Sequence, residues 1–135
     1  MKVVIDTNVL IASLGKTSPY RKIFEGFLNY QYTLLLSNDI LLEYLEIIEE
    51  KTNAFVAENI IMSMLSAENI ELHDIYFYWS LIEHDKEDNK FCDLAVAGGA
   101  DYLVTNDTHF NVVKLNSFPP INILSAEEFL QILRS

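Results

Sequence analysis

The chain has 135 residues, half of them hydrophobic, and a mean hydropathy of +0.15, which excludes a disordered segment and makes one domain spanning residues 1–135 the expectation. Twenty acidic against nine basic residues leave a net charge of -11 with no long Lys/Arg run, so affinity for a polyanion needs cations beyond the chain's own. The single Cys92 excludes an intramolecular disulfide, and no apolar stretch is long enough for a secretion signal or a bilayer span, so a cytoplasmic protein without membrane contact is expected.

Residues 3–5, Val-Val-Ile, form a β-branched run closed by Asp6, the pattern of a strand buried on both faces. A loop carrying Gly15 and Pro19 follows, and then Ile23, Phe24, Phe27 and Leu28 recur at helical spacing. Residues 32–36 read as a second strand. Ser37-Asn38-Asp39 supplies N-cap chemistry for a helix whose apolar stripe is Ile40, Leu41, Tyr44, Leu45 and Ile48, with Glu43 flanking it. Another helix is predicted over 54–66, and 69–73 reads as a short strand or an extended connector. The aromatic-rich stretch 75–82 has no clear period. A helix over 89–97 stops at Gly98-Gly99, and a strand over 102–105 ends near Asp107. Pro119-Pro120 precedes an edge strand at 121–124, and Ser125 caps a final helix carrying Phe129, Leu130 and Leu133. Strands alternating with helices predict an α/β fold, with right-handed crossovers and a mainly parallel sheet covered on both faces.

In such sheets ligands bind beyond the carboxyl ends of the strands, where Asp6 and Asp107 are expected. Asp6-Thr7-Asn8 and Thr105-Asn106-Asp107 each follow an apolar strand with a carboxylate, a hydroxyl and an amide, although the same residues serve ordinary turns and caps. Glu43 shares its helix with Glu46, Glu49 and Glu50, and is singled out by its place beside the apolar stripe. In Asp85-Lys86-Glu87-Asp88 the acids suit a helix N-terminus whatever their function, and Asp93 reads either as a neighbour of the same site or as a solvated side chain. Four clustered carboxylates, Asp6, Glu43, Asp88 and Asp107, repel one another, and a divalent cation is the natural neutraliser. Arg21-Lys22 and Lys86/Lys90 are the cations that would line a groove for phosphates. His73, His84 and His109 show no partner spacing and receive no catalytic role.

The ordered set Asp6-Thr7-Asn8-Val9, Glu43, Asp88-Asn89-Lys90-Phe91 and Thr105-Asn106-Asp107 resembles the PIN-domain family, and spans nearly the whole chain. The similarity is closest to bacterial and archaeal PIN proteins classed as toxins of toxin–antitoxin systems, related to the VapC-like ribonucleases. The resemblance implies a three-layer α/β/α sandwich, homodimers, a cognate antitoxin, and an acidic pocket that binds Mg²⁺ or Mn²⁺ and cleaves RNA. Carried over by position, the metal-site acids are Asp6, Glu43, Asp88 and Asp107, with Asp93 as a fifth, and Asn8 and Thr105 as supporting polar residues. The expected mechanism has Asp6, Asp88 and Asp107 holding one or two Mg²⁺ ions, with Glu43 completing the site.

Other classes remain as alternatives. One is a PIN-fold module that binds RNA or a partner protein without cutting. Covalent aspartyl chemistry of the haloacid-dehalogenase kind needs an acid where Asn8 stands, and a receiver domain needs paired acids near the first strand.

Overall fold

The computed structural model describes residues 1–82, 86–115 and 118–134, and of Lys86 only the main chain. His84, Asp85 and the Lys86 side chain lie outside the described residues. Among the described residues, five strands form one sheet: β1 (Lys2–Ile5), β2 (Thr33–Leu36), β3 (Ile70–Leu72), β4 (Tyr102–Val104) and β5 (Ile123–Leu124). Their order is β3-β2-β1-β4-β5, and every pairing is parallel. The helices are α1 (Thr7–Leu14), α2 (Arg21–Leu28), α3 (Asn38–Lys51), α4 (Ala54–Leu65), α5 (Lys86–Ala97), α6 (Asn111–Lys114) and α7 (Ala126–Arg134).

Successive strand residues point to opposite faces of a sheet. Val3, Val4 and Ile5 are nevertheless all fully buried, as are Leu35 and Leu36, and Leu103 and Val104. Both faces are therefore covered, which gives the three-layer α/β/α sandwich and explains why these strands read as continuous apolar runs. Helix α5 lies against β1, β2 and β4, and α7 joins α2 to β5. Among the described residues no helix is long and apolar enough to cross a membrane.

The helix boundaries follow their local chemistry. The Ser37 hydroxyl accepts from the Ile40 N–H and the Asn53 amide from the Val56 N–H, opening α3 and α4. At α7 the caps are reciprocal: Glu128 N–H donates to Ser125 Oγ while the Glu128 carboxylate accepts from Ser125 N–H. Gly99, at φ 61, supplies the left-handed turn that ends α5.

Several expectations are refined. Residues 70–72 of the ambiguous stretch 69–73 are a strand, paired in parallel with β2. The helix predicted from Asn89 begins a turn earlier, at Lys86, so Asp88 stands in its first turn. The edge strand shrinks to Ile123–Leu124. Three elements went unread: α1 starts directly after Asp6 where a turn and loop were expected, and a 3₁₀ turn at Thr108–Phe110 runs into α6. Residues 75–81 carry no regular element. They are held by side chains instead, as when the Asn89 amide bonds both the N–H and the carbonyl of Ile82. Cys92 is fully buried, and burial, followed by the charges of Asp93 and Asp88, pushes its thiol up to about 12, so it packs and does not react.

Spanning β2, Glu71 on β3 accepts from Lys2 on β1 at 3.2 Å, and it meets His73 at 2.6 Å. The His73 bond first, and then Lys2, hold the Glu71 carboxyl below its ordinary value. A depressed folded-state pKa means that this stabilisation is present above the unfolded pKa and is lost as pH falls through the folded one. The group is at the surface, so screening limits its worth to roughly 0.2–1 kcal/mol. Glu71→Gln is expected to lower stability by that amount at pH 7 and by nothing measurable at pH 3, read by urea denaturation at the two pH values.

Candidate metal centre

The strand order puts β2 on one side of β1 and β4 on the other, so the order of strand addition switches sides at β1, and a crevice opens at the carboxyl ends of β1 and β4. The junction is tight: Asp6 N–H donates to the Val104 carbonyl at 2.9 Å. Asp6 is the N-cap of α1, yet its side chain makes no capping bond and is left for the crevice. Only 6% of the residue is exposed.

One hydroxyl organises the β4 side. Thr105 O–H donates to Asp6 Oδ2 at 2.7 Å, and Thr105 Oγ1 accepts from Asp107 N–H at 3.0 Å. The Asp107 carboxylate then caps the 3₁₀ turn by accepting from His109 N–H at 2.9 Å. That turn brings the His109 ring back over the acids. Its Nδ1 lies 3.3 Å from Asp88 Oδ2 and 3.5 Å from Asp107 Oδ1. One ligand atom from each of Asp88, Asp107 and His109 lies within 4.8 Å of the others, and among the described residues this is the group that could close on a metal ion.

Glu43 reaches the crevice through its neighbour. Tyr44 is fully buried and its O–H donates to the carbonyl of Ile5, the last residue of β1, which fastens α3 to the strand end. Glu43, one position earlier, then accepts from Thr7 O–H with Oε2, and meets Lys90 Nζ with Oε1 at 2.6 Å. Lys90 also pairs with Glu87 at 2.9 Å. Burial works against the Lys90 charge, but the bonds to Glu43 and Glu87 outweigh it and hold the ammonium above its ordinary pKa. Burial raises the Asp6 carboxyl, the Thr105 bond opposes that, and the Asp107 and Glu43 charges raise it further. Like charges crowding a half-dry cleft are the physical signature of a site that wants a cation.

The sequence-derived residues thus fall into three sets. Asp6 and Asp107, with Asn8, Val9, Ala12, Tyr20 and Asn106, line a cleft of about 250 Å³, where Asn8 is exposed. Asp88 and Asp107 sit within a cation's reach of each other, while Asp6 and Glu43 act on the cleft by charge and are not in that closest group. Asp93 is apart. It is 4% exposed, accepts from Trp79 N–H at 2.9 Å and lines a different cleft with Tyr78 and Ser80. Burial raises its carboxyl, and the Trp79 bond opposes the rise. Of the expected groove cations, Arg21 donates to the Leu14 carbonyl and stacks over Phe24, while Lys22 is exposed and lies 3.6 Å from Glu25. His109 is the residue that sequence reasoning set aside. Its signal was the Asp-x-His spacing in Asp107-Thr108-His109, which has meaning only once those residues form a 3₁₀ turn.

The donors fit a divalent cation. Carboxylate oxygens suit Mg²⁺ and Mn²⁺, and an imidazole nitrogen is better tolerated by Mn²⁺. A parallel α/β sandwich with an acidic cleft at the switch point defines the class. Residues 2–109 match the model of the PIN domain, and the chain belongs to the PIN-domain family. Among solved structures the fold is similar to VapBC2 from Rickettsia felis bound to a promoter DNA fragment. The TM-score is 0.62 at 19% identity, covering 93% of this chain and 98% of that one. It is similar to DNA-bound VapBC from Salmonella typhimurium, with TM-score 0.60 at 16% identity, covering 93% and 98%. Mycobacterium tuberculosis VapC20, a sarcin–ricin loop cleaving toxin, superposes with TM-score 0.59 at 12% identity, covering 83% and 95%. No curated protein gives a significant match.

Because the folded-state pKa of Asp6 is raised, its ionisation opposes folding: the penalty is absent below the unfolded pKa and grows as pH rises through the folded one. Asp6→Asn is expected to stabilise the metal-free chain by about 1 kcal/mol at pH 7, with the gap closing toward pH 4. Melting curves in EDTA across pH check this. Asp93→Ala strands the Trp79 N–H and is expected to cost about 1 kcal/mol. Hydrogen exchange should speed up over residues 75–82, with amides at the Asp6 cleft unchanged.

Proposed function

We propose that this chain is a Mg²⁺- or Mn²⁺-dependent endoribonuclease, cleaving single-stranded or structured RNA as the toxin of a toxin–antitoxin pair. The observation that carries the reading is the approach of Asp88, Asp107 and His109 to within a cation's reach of one another, beside Asp6, whose carboxyl is raised by burial and by the charges of Asp107 and Glu43. The PIN-domain membership supports nuclease chemistry, and the similar VapC20 is itself an RNA-cleaving toxin. Two of the similar structures pair a VapC with a VapB, which supports a cognate antitoxin here. A net charge of -11 suits a basic partner. A cytoplasmic homodimer built from the single domain 1–135 completes the proposal.

Asp6, Asp88 and Asp107 would hold the cation, His109 is placed to join them, and Glu43 completes the charge of the site. Asp93 is left out of the proposed ligand set, its Oδ1 accepting from Trp79 N–H. When bound, Mg²⁺ or Mn²⁺ supplies Lewis acidity toward a phosphodiester and makes water a stronger acid. The chain's own work is preorganisation. Thr105 fixes the Asp6 rotamer, the His109 N–H fixes Asp107, and Thr7 with Lys90 fixes Glu43. Asn8 projects an amide into the cleft mouth, where it can bond a phosphate or ribose oxygen without adding charge. With the acids ionised and no cation bound, the cleft repels phosphate, so substrate binding itself should need the metal.

Incubating the full chain with mixed RNA and millimolar Mg²⁺ or Mn²⁺ tests the reading. Wild type is expected to yield defined products that EDTA abolishes, Asp6→Asn to yield none, and Thr105→Ala to be slowed roughly 10–100-fold, as for other outer-shell partners of a metal ligand. Equal cleavage by Asp6→Asn, or cleavage in EDTA, would point to a contaminating nuclease. RNA retained intact by the metal-loaded wild type would favour a binding module that does not cut.

A further inference from the structure

Both carboxylate oxygens of Glu43 are engaged by side chains from other helices. Oε2 accepts from Thr7 O–H, and Oε1 meets Lys90 Nζ at 2.6 Å. The ammonium is itself held from a second side by Glu87 at 2.9 Å, and lies 5.9 Å from the centroid of the Phe91 ring. The Lys90 side chain is 18% exposed and Glu43 22%, so this pair is shielded from solvent far better than the Glu87 arm, which is 79% exposed. Three helices contribute: Thr7 from α1, Glu43 from α3 and Lys90 from α5.

The arrangement bears on how many ions the cleft takes. A two-ion centre needs carboxylates able to serve two cations roughly 3.5–4 Å apart. Asp6 and Glu43 stand outside the Asp88–Asp107–His109 group but act on one another by charge, and of the two Glu43 has both oxygens committed, to Thr7 and to Lys90. A second divalent ion would have to strip Glu43 of an ammonium that two carboxylates hold, or approach a positive charge across a partly dry gap. Neither is favourable. We infer that Lys90 is a tethered cation in the place of a second metal ion, positioning Glu43 against Thr7 and limiting the centre to one divalent ion per chain. The inference rests on the metal-centre reading above and assigns Lys90 a positioning role, since it need touch neither substrate nor the bound ion.

The stoichiometry of Mn²⁺ on the full chain, read by electron paramagnetic resonance and equilibrium dialysis, tests it without recourse to activity. Wild type and Lys90→Arg are expected to bind one ion per chain. Lys90→Met, or Lys90→Gln if the first variant fails to fold, is expected to bind two. Adding Glu43→Gln to either neutral variant should return the count to one, because it removes the freed ligand; a purely structural role for Lys90 would not produce that rescue. Two ions on the wild type, or one ion on a folded neutral variant, overturns the role of Lys90 alone. No ion on any of these proteins overturns the metal centre, and this inference with it.

Discussion

A carboxylate held at 6% exposure at the end of a buried strand is the constraint around which the rest of the molecule is arranged. Burying Asp6 is costly, and the neighbouring charges of Asp107 and Glu43 add to that cost. The fold meets it with several small devices: the Thr105 hydroxyl on Asp6, the tyrosine that fastens α3 to Ile5, and the lysine that neutralises Glu43. Each is a local departure from what stability alone would select, and each draws on the rigidity of a fully covered parallel sheet. The site exists because both faces of β1 are packed before the acid is reached.

The excess of negative charge, read globally, looks hostile to any phosphate ligand. Read locally, it separates into parts. Much of it stands on the outer helical surface, as with the exposed Glu46, Glu49 and Glu50 of α3. Of the cations expected to line a groove, Lys90 is held by Glu43 and Glu87, and Arg21 donates to the Leu14 carbonyl. Under the proposed function, affinity for a polyanion comes through an ion recruited from solution, and divalent cation concentration governs the encounter with phosphates.

The sheet and most helices were legible in the sequence because their signals are local: β-branched runs for strands, period and caps for α3, α4 and α7. Helix α1 was not, since Asp6 and Thr7 carry turn chemistry and the helix forms by packing on α2 and α3. The pairing of Asp6 with Asp107 followed from strand ends alone. What the sequence could not show is how each carboxylate is used. Asp93, five positions after Asp88, turns toward Trp79, and His109 reaches Asp88 across a sequence gap of 21 residues. Those contacts depend on the angle of α5 and on a 3₁₀ turn, neither of which leaves a pattern in the residues. Likewise Asn89, Lys90 and Phe91 look like one motif, yet the first clamps Ile82, the second neutralises Glu43 and the third fills the core.

The sheet ends on one side in the three residues of β3 and on the other in the two of β5. Such stubs expose too few free main-chain groups to template an added strand from another polypeptide. Both edges of the described sheet are thereby poor templates for strand addition, whether from another protein or from a second copy of the chain.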